Sequence, residues 1–414
     1  MKNKFLPGLI TGLAASVFIV TIALTIYINK GEPSRVTANN STTVTDSTSG
    51  DVIPDQAAIN NKLSKLEGLI KQYYLKDVDS SIYPDGIYKG LMASLGDPYS
   101  VYYTKDEFAA LMESSSGVYC GIGATVSQDA KTGIITIVKP FETGPAYKAG
   151  ILPGDIISKV NGKEVTGEDL SKVVSEMKGD EGTTVDITVI RKNETEPLKF
   201  TVERKKIEVP TIESEMLDNK IGYIKVSEFE EVTADQFISA VNHLDKQGQK
   251  GLIVDLRDNP GGLLDIVVKM LDRMLPKGIV VYTQDKYGEK EKYYSDGKED
   301  FNKPLVVLIN GNSASASEIF AGAIQDYGVG TLIGTTSFGK GIVQQVMPLG
   351  DDTAVKITVS KYYTPKGRNI HGTGIDPDVK VELDKKLLQK VVIQKSEDNQ
   401  LQKAIEVIMK KINK

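Results

Sequence analysis

Residues 304–345 read PLVVLINGNSASASEIFAGAIQDYGVGTLIGTTSFGKGIVQQ and decide the fold of the chain. The apolar run at 305–309 ends in an Asn-Gly pair, and residues 318–327 then carry apolar side chains at helical spacing. A second apolar run follows at 331–333. The pattern predicts a buried strand, a tight turn, a helix and a second strand, which is the repeating unit of a layered α/β core.

Serines alternate at positions 313, 315 and 317, and a glycine-flanked lysine, Lys340, follows the second strand. A serine at a helix N-terminus lies among unpaired backbone N–H groups, which stabilise a developing negative charge. A serine hydroxyl becomes a strong nucleophile when a base removes its proton, and a lysine can be that base if burial lowers its pKa. The residues expected to provide an apolar setting for the lysine are Phe338, Ile342 and Val343.

The composition of the 414 residues excludes several functional classes. A net charge of −5, from 50 basic and 55 acidic residues, gives no polycationic surface, so nucleic acid is not an expected partner. The single cysteine, Cys120, excludes intrachain disulfides and zinc sites built on paired cysteines. With two histidines, His243 and His371, and no HExxH motif, neither a metal nor a cofactor is expected.

The N-terminus predicts a membrane anchor at residues 1–30. Residues 5–29 carry no charge, and a helix of that length, roughly 37 Å, crosses a bilayer core of about 30 Å. Lys2 and Lys4 favour a cytoplasmic N-terminus, so we expect a single-pass protein of the cell membrane whose remaining chain is extracytoplasmic. A cleaved signal peptide is the alternative, although ALTIYINK offers no convincing cleavage site. Residues 31–55, rich in Ser, Thr and Asp, predict a flexible linker.

Residues 56–112 predict an N-terminal helical region, and residues 113–194 predict a β-rich domain whose first strand runs over 118–126. The strings YCGIGATV and GPAYKAGILPGDIISKVNGKEV resemble a PDZ domain. The resemblance implies that a loop of four residues binds a peptide's C-terminal carboxylate through exposed backbone N–H groups while the peptide adds a strand beside it. These residues are Gly121, Ile122, Gly123 and Ala124. The alternative is that the glycines only form turns.

Residues 195–385 alternate between strand and helix patterns and predict an α/β layered core, followed by a helical C-terminal region at 386–414. Within that last region, apolar residues at helical spacing predict a helix from 387 to 412. The predicted fold class is therefore α/β and β-rich multidomain. A transmembrane helix comes first, and the PDZ domain is inserted before the α/β layered core.

The PDZ pattern followed by DLRDNPGG (255–262), GNSASASEIFAGA (311–323) and TSFGKGIVQ (336–344) resembles the carboxyl-terminal processing, or tail-specific, protease family. GLMASLGDPYS (90–100) and GRNIHGTGIDPDV (367–379) are also similar, so the resemblance covers residues 56–385. It implies a crotonase-like catalytic core.

The resemblance also implies roles for individual residues. Ser315 would be the nucleophile, Lys340, 25 residues later, the general base, and Gln344 the residue that orients the lysine. The oxyanion hole would use the backbone N–H groups of Ala316 and of a glycine in DLRDNPGG, either Gly261 or Gly262.

A structural interpretation of the serine and the lysine stays open. Ser315 and Glu318 fit the S-x-x-E capping box, in which serine caps a helix and the glutamate bonds back to it. Lys340, between two glycines, could equally be an exposed loop residue.

Two other catalytic schemes also use these residues. Ser337 to Lys340 spells S-x-x-K, as in penicillin-binding enzymes, but that chemistry needs a helix where the glycines disfavour one. A Ser-His-Asp triad could form with His371 and either Asp376 or Asp378.

The sequence therefore predicts a membrane-anchored serine endopeptidase that recognises the C-terminal segments of its substrates through a PDZ domain and cleaves with a Ser-Lys dyad. Its expected partners are proteins or peptides with accessible C-termini, and a homo-oligomer remains open. The alternative is a non-catalytic PDZ scaffold that tethers protein partners at the membrane.

Overall fold

A computed structural model describes residues 55–298, 301–390 and 393–413. The described residues fall into two units, one ending at Pro98 and the other beginning at Tyr99. The anchor expected at 1–30, and the linker expected at 31–55 except its last residue, lie outside the described residues. Within the described ranges, no helix is long and apolar enough to cross a membrane.

The unit that ends at Pro98 is helical over its described part, as the sequence pattern predicts. It contains α1 (Gln56–Tyr73), a short 3₁₀ turn at Ser80–Ile82, and α2 (Tyr83–Ala93). The Asp55 carboxylate caps α1 by accepting hydrogen bonds from the first backbone N–H groups of the helix.

The second unit opens with the strand β1 (Val101–Tyr103) and the helix α3 (Lys105–Ser116). Thr104 and Glu107 form a reciprocal capping box at the start of α3. Gly117 ends the helix with a φ of 66°, a left-handed conformation that glycine adopts without strain. The chain then leaves α3 directly into the β-rich subdomain.

The β-rich subdomain spans residues 118–208, and its sheet has the strand order β3-β4-β5-β7-β8. A separate antiparallel ribbon, β2 with β9, joins the start and the end of the subdomain. The sequence pattern predicts one strand over 118–126, and this prediction is wrong. Gly123 has a φ of 73°, and the chain turns there, so two strands form. The elements are β2 (Val118–Gly121), β3 (Ala124–Gln128), β4 (Ile135–Pro140), α4 (Pro145–Lys148), β5 (Ile156–Val160), β6 (Lys163–Glu164), α5 (Leu170–Met177), β7 (Thr184–Ile190), β8 (Leu198–Glu203) and β9 (Lys205–Glu208).

The α/β core follows, with a short 3₁₀ turn between its first two strands. Its elements are β10 (Ile212–Leu217), β11 (Ile221–Val226), α6 (Thr233–Lys246), β12 (Gly251–Asp255), α7 (Leu264–Asp272), β13 (Gly278–Asp285), β14 (Lys290–Ser295), β15 (Leu305–Ile309), α8 (Ala316–Tyr327), β16 (Thr331–Gly334), β17 (Ile342–Pro348), β18 (Ala354–Tyr363), β19 (Val379–Lys380) and α9 (Asn399–Ile412).

The central sheet of the core has the order β10-β11-β12-β15-β16-β19 and is parallel from β11 onward. Helices α6, α7 and α8 pack on one face, where the Phe237 and Phe320 rings meet edge to face. Helix α9 packs on the other face through Leu401, Ala404 and Ile408. The layered α/β prediction is confirmed, since helices cover both faces of a largely parallel sheet.

The C-terminal helix is shorter than the sequence pattern predicts. It begins at Asn399 rather than at residue 387, because residues 384–390 form turns and the Asp398 carboxylate accepts hydrogen bonds from the N–H groups of Gln400 and Leu401. Asp398 also forms an ion pair with Arg257, which lies just after β12. The helix is therefore fixed to the sheet by its cap as well as by its apolar face.

A second, antiparallel sheet in the core has the order β1-β18-β13-β14, with β17 also paired to β18. In its register Val101 lies opposite Lys356, and Gln344 lies opposite Thr358. The long strand β18 thus holds the segment that begins at Tyr99 on one side and β17 on the other.

Candidate functional site

Two turns interlock at the carboxyl ends of the neighbouring parallel strands β12 and β15. The Asp258 N–H donates to Asn310 Oδ1 at 3.0 Å, and the side-chain amides of Asn310 and Asn312 donate back to the Asp258 carboxylate at 2.9 and 2.8 Å. The Ala314 N–H donates to the Asn259 carbonyl at 3.1 Å. The DNPGG and GNSAS segments therefore form one hydrogen-bonded surface.

The three alternating serines have different surroundings. The Ser313 hydroxyl donates to the Leu256 carbonyl at 2.7 Å, and the Ser317 hydroxyl donates to the Asn259 carbonyl at 2.9 Å, so both bond the neighbouring turn. Ser315 has φ 55° and ψ −113°, a conformation that costs energy for any residue with a side chain. Strain at a tight turn between strand and helix is a frequent property of functional residues.

Ser315 begins α8, and its backbone is bonded on both sides. Its carbonyl accepts from the N–H groups of Glu318 and Ile319 at 2.8 and 2.9 Å and from the Tyr362 hydroxyl at 3.1 Å. Its N–H donates to the Glu318 carboxylate at 2.8 Å, which is the glutamate's part of a capping box. Ala316 is the first helical residue, so its N–H is among those that a helix start leaves without an intrahelical partner.

The fully buried Glu318 carboxylate also binds the loop that carries the lysine. Its Oε1 accepts from the Ser337 hydroxyl at 2.6 Å and the Gly339 N–H at 2.7 Å, and its Oε2 accepts from the N–H groups of Ser315 and Lys340, both at 2.8 Å. Because the backbone nitrogens of Ser315 and Lys340 both donate to Oε2, the two nitrogens lie no more than twice 2.8 Å apart. Burial raises the pKa of Glu318, and these four hydrogen bonds partly offset the increase.

The Lys340 side chain is 4% exposed, so it is not an exposed loop lysine. Its Nζ lies 4.6 Å from the centroid of the Tyr99 ring. The expectation that Phe338 shields it is wrong, because that side chain is 55% exposed at the surface. Ile342 and Val343 are half-buried, as expected, and they line the pocket that contains Ser315.

Gln344 lies on β17 and is 2% exposed, which excludes the interpretation of a plain surface residue. Its amide Nε2 donates to Thr358 Oγ1 on β18 at 3.2 Å. A β-bulge between Val343 and Gln344 shifts the register here. The side chain lines the same pocket as Ser315.

The pocket at Ser315 is narrow, with a volume of about 10 Å³. A cavity of that size holds about one water molecule, and Ser315 beside it is partly exposed. The lining residues are Gly262, Leu264, Ser315, Ala316, Ile319, Ile342, Val343, Gln344 and Tyr362.

The two candidate glycines of the oxyanion hole differ in their bonding. The Gly261 N–H donates to Asn259 Oδ1 at 2.8 Å. Two hydrogen bonds join Phe229 to this segment, but they use the Gly261 carbonyl and the Leu263 N–H, so neither uses the N–H of Gly262. A Cβ at Gly262 would lie 2.2 Å from the Phe229 carbonyl oxygen, so only glycine fits there. The geometry thus favours Gly262 over Gly261 as a donor to the pocket.

The structure supports neither of the other catalytic schemes. Ser337 and Lys340 lie in a segment without helical structure, and the Ser337 hydroxyl accepts from the Ile375 N–H while it donates to the glutamate. His371 is exposed. Asp376 accepts from a threonine hydroxyl and Asp378 from the Leu332 N–H, so both are bound elsewhere. Within the described ranges, no group of three or more His, Cys, Asp or Glu side chains could hold a metal.

The glycine loop of the β-rich subdomain is a separate site. Ile122 is buried and its carbonyl accepts from the Ala146 N–H, which fixes the loop to α4. The Tyr119 ring packs against Gly121, where an added Cβ would lie 3.0 Å from it. Burial raises the pKa of Tyr119 to about 12, and the backbone N–H groups of Ala124 and Gly123, which interact with its hydroxyl, partly offset the increase.

Several residues that shape the site have no signal in the sequence pattern. Glu318 was considered only as a helix cap, although a glutamate one turn into a helix can also bind a neighbouring loop. No pattern in the sequence indicates that Tyr362 or Tyr99 is near the site. Tyr99, however, lies within the GDPYS string, which is part of the family resemblance.

Family models match three parts of the chain. The model for peptidase family S41 matches residues 220–381, the model for a PDZ domain matches residues 137–191, and the model for the N-terminal domain of activating protease CtpB matches residues 14–107. The site residues at 262, 315, 316, 340 and 344 all lie within the first of these matches.

Individual relatives extend the match over most of the chain. Carboxy-terminal processing proteases CtpA and CtpB of Bacillus subtilis (strain 168) are 40% and 36% identical over 78% of this chain, and the alignments cover 69% and 68% of those proteins. A putative S41 protease from Bacteroides fragilis NCTC 9343 has a similar fold, with a TM-score of 0.51 and 18% identity over 84% of this chain and 97% of that one. This chain belongs to peptidase family S41 and is a carboxy-terminal processing serine protease.

Proposed function

We propose that the protease cleaves peptide bonds with a Ser-Lys dyad formed by Ser315 and Lys340. The observation that carries this proposal is the shared Glu318 carboxylate, since one oxygen atom accepts from the backbone N–H of both residues. A buried lysine close to a strained serine at a helix start is the arrangement that lysine-activated nucleophiles require. The family assignment favours an enzyme over the alternative of a scaffold.

In the proposed mechanism, Lys340 Nζ accepts the Ser315 proton while Oγ attacks the scissile carbonyl carbon. The N–H groups of Ala316 and Gly262 stabilise the oxyanion of the tetrahedral intermediate. The lysine then gives the proton to the leaving amine, and water hydrolyses the acyl-enzyme by the same route. Gln344, buried beside the pocket, orients the amine through its side-chain amide.

We infer that the pocket at Ser315 widens when a substrate binds, because a volume of about 10 Å³ holds no peptide side chain. The hydrogen bonds of Glu318 keep the two backbone segments together when this happens. We infer that opening moves side chains around Ser315 and rotates the Lys340 amine toward it, while the backbone of both turns stays in place.

We infer that the β-rich subdomain recruits the C-terminal segments of protein substrates. Strand β3 is at an edge of its sheet, where a peptide can add as a further strand. The loop formed by Gly121, Ile122, Gly123 and Ala124 directly precedes that edge and would bind the terminal carboxylate. The Tyr119 hydroxyl interacts with two of the N–H groups that the carboxylate needs, so it competes with the ligand.

We also propose that residues 1–30 anchor the protease in the cell membrane, with the catalytic part extracytoplasmic. The support is the uncharged run at 5–29 and the lysines that precede it.

Substitution of either dyad residue should abolish cleavage. We expect Ser315→Ala and Lys340→Ala to lower kcat by at least about 1,000-fold, because the nucleophile or its base is lost. Cleavage of an unstructured protein, followed by mass spectrometry, measures the effect, and thermal unfolding reports the fold. Ser317→Ala and Lys366→Ala are the matched controls and should retain kcat within about tenfold. Activity in Ser315→Ala would contradict the assignment.

Substitution of Glu318 by glutamine should uncouple the two segments. An amide nitrogen cannot accept a hydrogen bond, so in either orientation of the amide at least one buried N–H group loses its acceptor, at a cost of about 2 kcal/mol in the free energy of unfolding. We expect kcat to fall by about 100-fold through misplacement of the dyad. Ser337→Ala, which removes one donor and leaves both bonds of Oε2, should have a smaller effect on kcat. Equal activities of Glu318→Gln and the wild type would show that this carboxylate does not hold the site together.

Removal of the Tyr119 hydroxyl should strengthen the binding of peptide C-termini. With the competing group gone, we expect Tyr119→Phe to bind a peptide with a free C-terminal carboxylate up to about tenfold more tightly. Isothermal titration of the Ser315→Ala background measures this without cleavage. The same peptide with an amidated C-terminus, and the exposed Tyr147→Phe variant, are controls in which no gain is expected. Unchanged affinity in Tyr119→Phe would mean that the hydroxyl does not compete.

The anchor can be tested by fractionation of cells that produce the full chain. We expect the protease in the membrane fraction after washing with high salt, and a variant without residues 1–30 in the soluble fraction. The intact mass of the membrane-bound protein distinguishes an anchor from a cleaved signal peptide. Release of the full chain by salt alone would contradict a membrane-spanning anchor.

A further inference from the structure

The proposed function leaves the GDPYS string without a role, although its tyrosine, Tyr99, lies beside the lysine. We propose that Tyr99 is a positioning residue of the protease, whose ring limits the positions that the Lys340 amino group can take. The proposal rests on the proposed function of Lys340 as general base.

The first observation is the contact itself. Lys340 Nζ lies 4.6 Å from the centroid of the Tyr99 ring, within the distance at which a ring attracts a cation. The lysine is 4% exposed, and the attraction is stronger where water is excluded. A lysine side chain has four rotatable bonds, so a ring packed against its amine reduces the number of positions the amine can take.

The second observation is how the ring is held in place. The Ser100 hydroxyl accepts from the Thr358 N–H at 3.0 Å, and the next residues form β1, which pairs with β18. The Thr358 hydroxyl in turn accepts from the Gln344 amide at 3.2 Å. Strand β18 therefore fixes both the ring under the amine and the glutamine expected to orient it. A base must lie within hydrogen-bond reach of its nucleophile, and this arrangement limits where the amine can go.

Strands β1 and β18 contain a second lysine–tyrosine pair, which can be compared with Lys340 and Tyr99. Lys356 Nζ lies 5.4 Å from the centroid of the Tyr103 ring, and both of these residues are buried. This second lysine–tyrosine pair has the same chemistry, but the proposed mechanism gives it no part in catalysis. It provides a control for the loss of a buried tyrosine that is independent of the dyad.

The test compares Tyr99→Leu, Tyr99→Phe and the matched control Tyr103→Leu. We expect Tyr99→Leu to lower kcat by about 30-fold with KM changed less than about threefold, because the amine is misplaced and substrate contacts remain. Tyr99→Phe keeps the ring and should retain kcat within about threefold. Tyr103→Leu should lower the thermal stability without lowering kcat by more than about threefold. The rate at which a fluorophosphonate labels Ser315 provides a second measurement, independent of substrate binding, and should follow kcat.

Each other result would overturn the proposal. Full kcat in Tyr99→Leu would show that the ring has no role, and a raised kcat would show that it sequesters the lysine. Equal losses in Tyr99→Leu and Tyr99→Phe would assign the effect to the hydroxyl, and a change in KM alone would make Tyr99 a substrate contact. If Tyr99→Leu unfolds, a Tyr99→Ile variant takes its place. Normal labelling of Ser315 in that variant would show that the ring has no role. An active Lys340→Ala protein would instead refute the proposed dyad, so the two failures can be distinguished.

Discussion

A single buried carboxylate holds the catalytic region together. Ionised carboxylates are costly to bury, and Glu318 is tolerated without exposure because four donors bond it, three of them backbone N–H groups. Those donors come from the start of α8 and from the lysine loop, which are separated by the whole of α8 and β16. The bonds fix both segments by their backbones. The side chains of Ser315 and Lys340 can therefore rotate while the backbone of both residues stays in place.

Strand β18 is the second organising element. The Tyr362 hydroxyl reaches the Ser315 carbonyl, and Thr358 bonds both Ser100 and Gln344. Burial raises the pKa of Tyr362 far above its ordinary value, so this hydroxyl is a permanent donor. One strand thus contacts the Ser315 backbone, the Gln344 side chain and the segment that contains Tyr99. A displacement of β18 would alter all of these contacts at once.

The segment that leads into the β-rich subdomain contacts the core close to Gly261 and Gly262. The Glu231 N–H donates to the Ser115 carbonyl at the end of α3, and the neighbouring Phe229 pairs with the DNPGG turn through its backbone. Burial, together with the nearby Glu228, raises the pKa of Glu230 to about 8. Backbone hydrogen bonds therefore connect the end of α3, through Phe229, to the DNPGG turn whose Gly262 lines the pocket at Ser315.

The sequence by itself determined the order of strands and helices in the core, the alternation that makes a layered α/β fold, and the family. These follow from hydrophobic periodicity and from motifs that are local in the chain, such as the serine turn at 313–317. Where local patterns were misleading, the positive φ at Gly123 ended a strand early, and the cap at Asp398 made the C-terminal helix begin late. Only the tertiary structure decided which side chains surround Lys340. Its shielding by Tyr99 rather than Phe338, and the shared carboxylate of Glu318, depend on contacts between residues far apart in the chain, which no local spacing encodes.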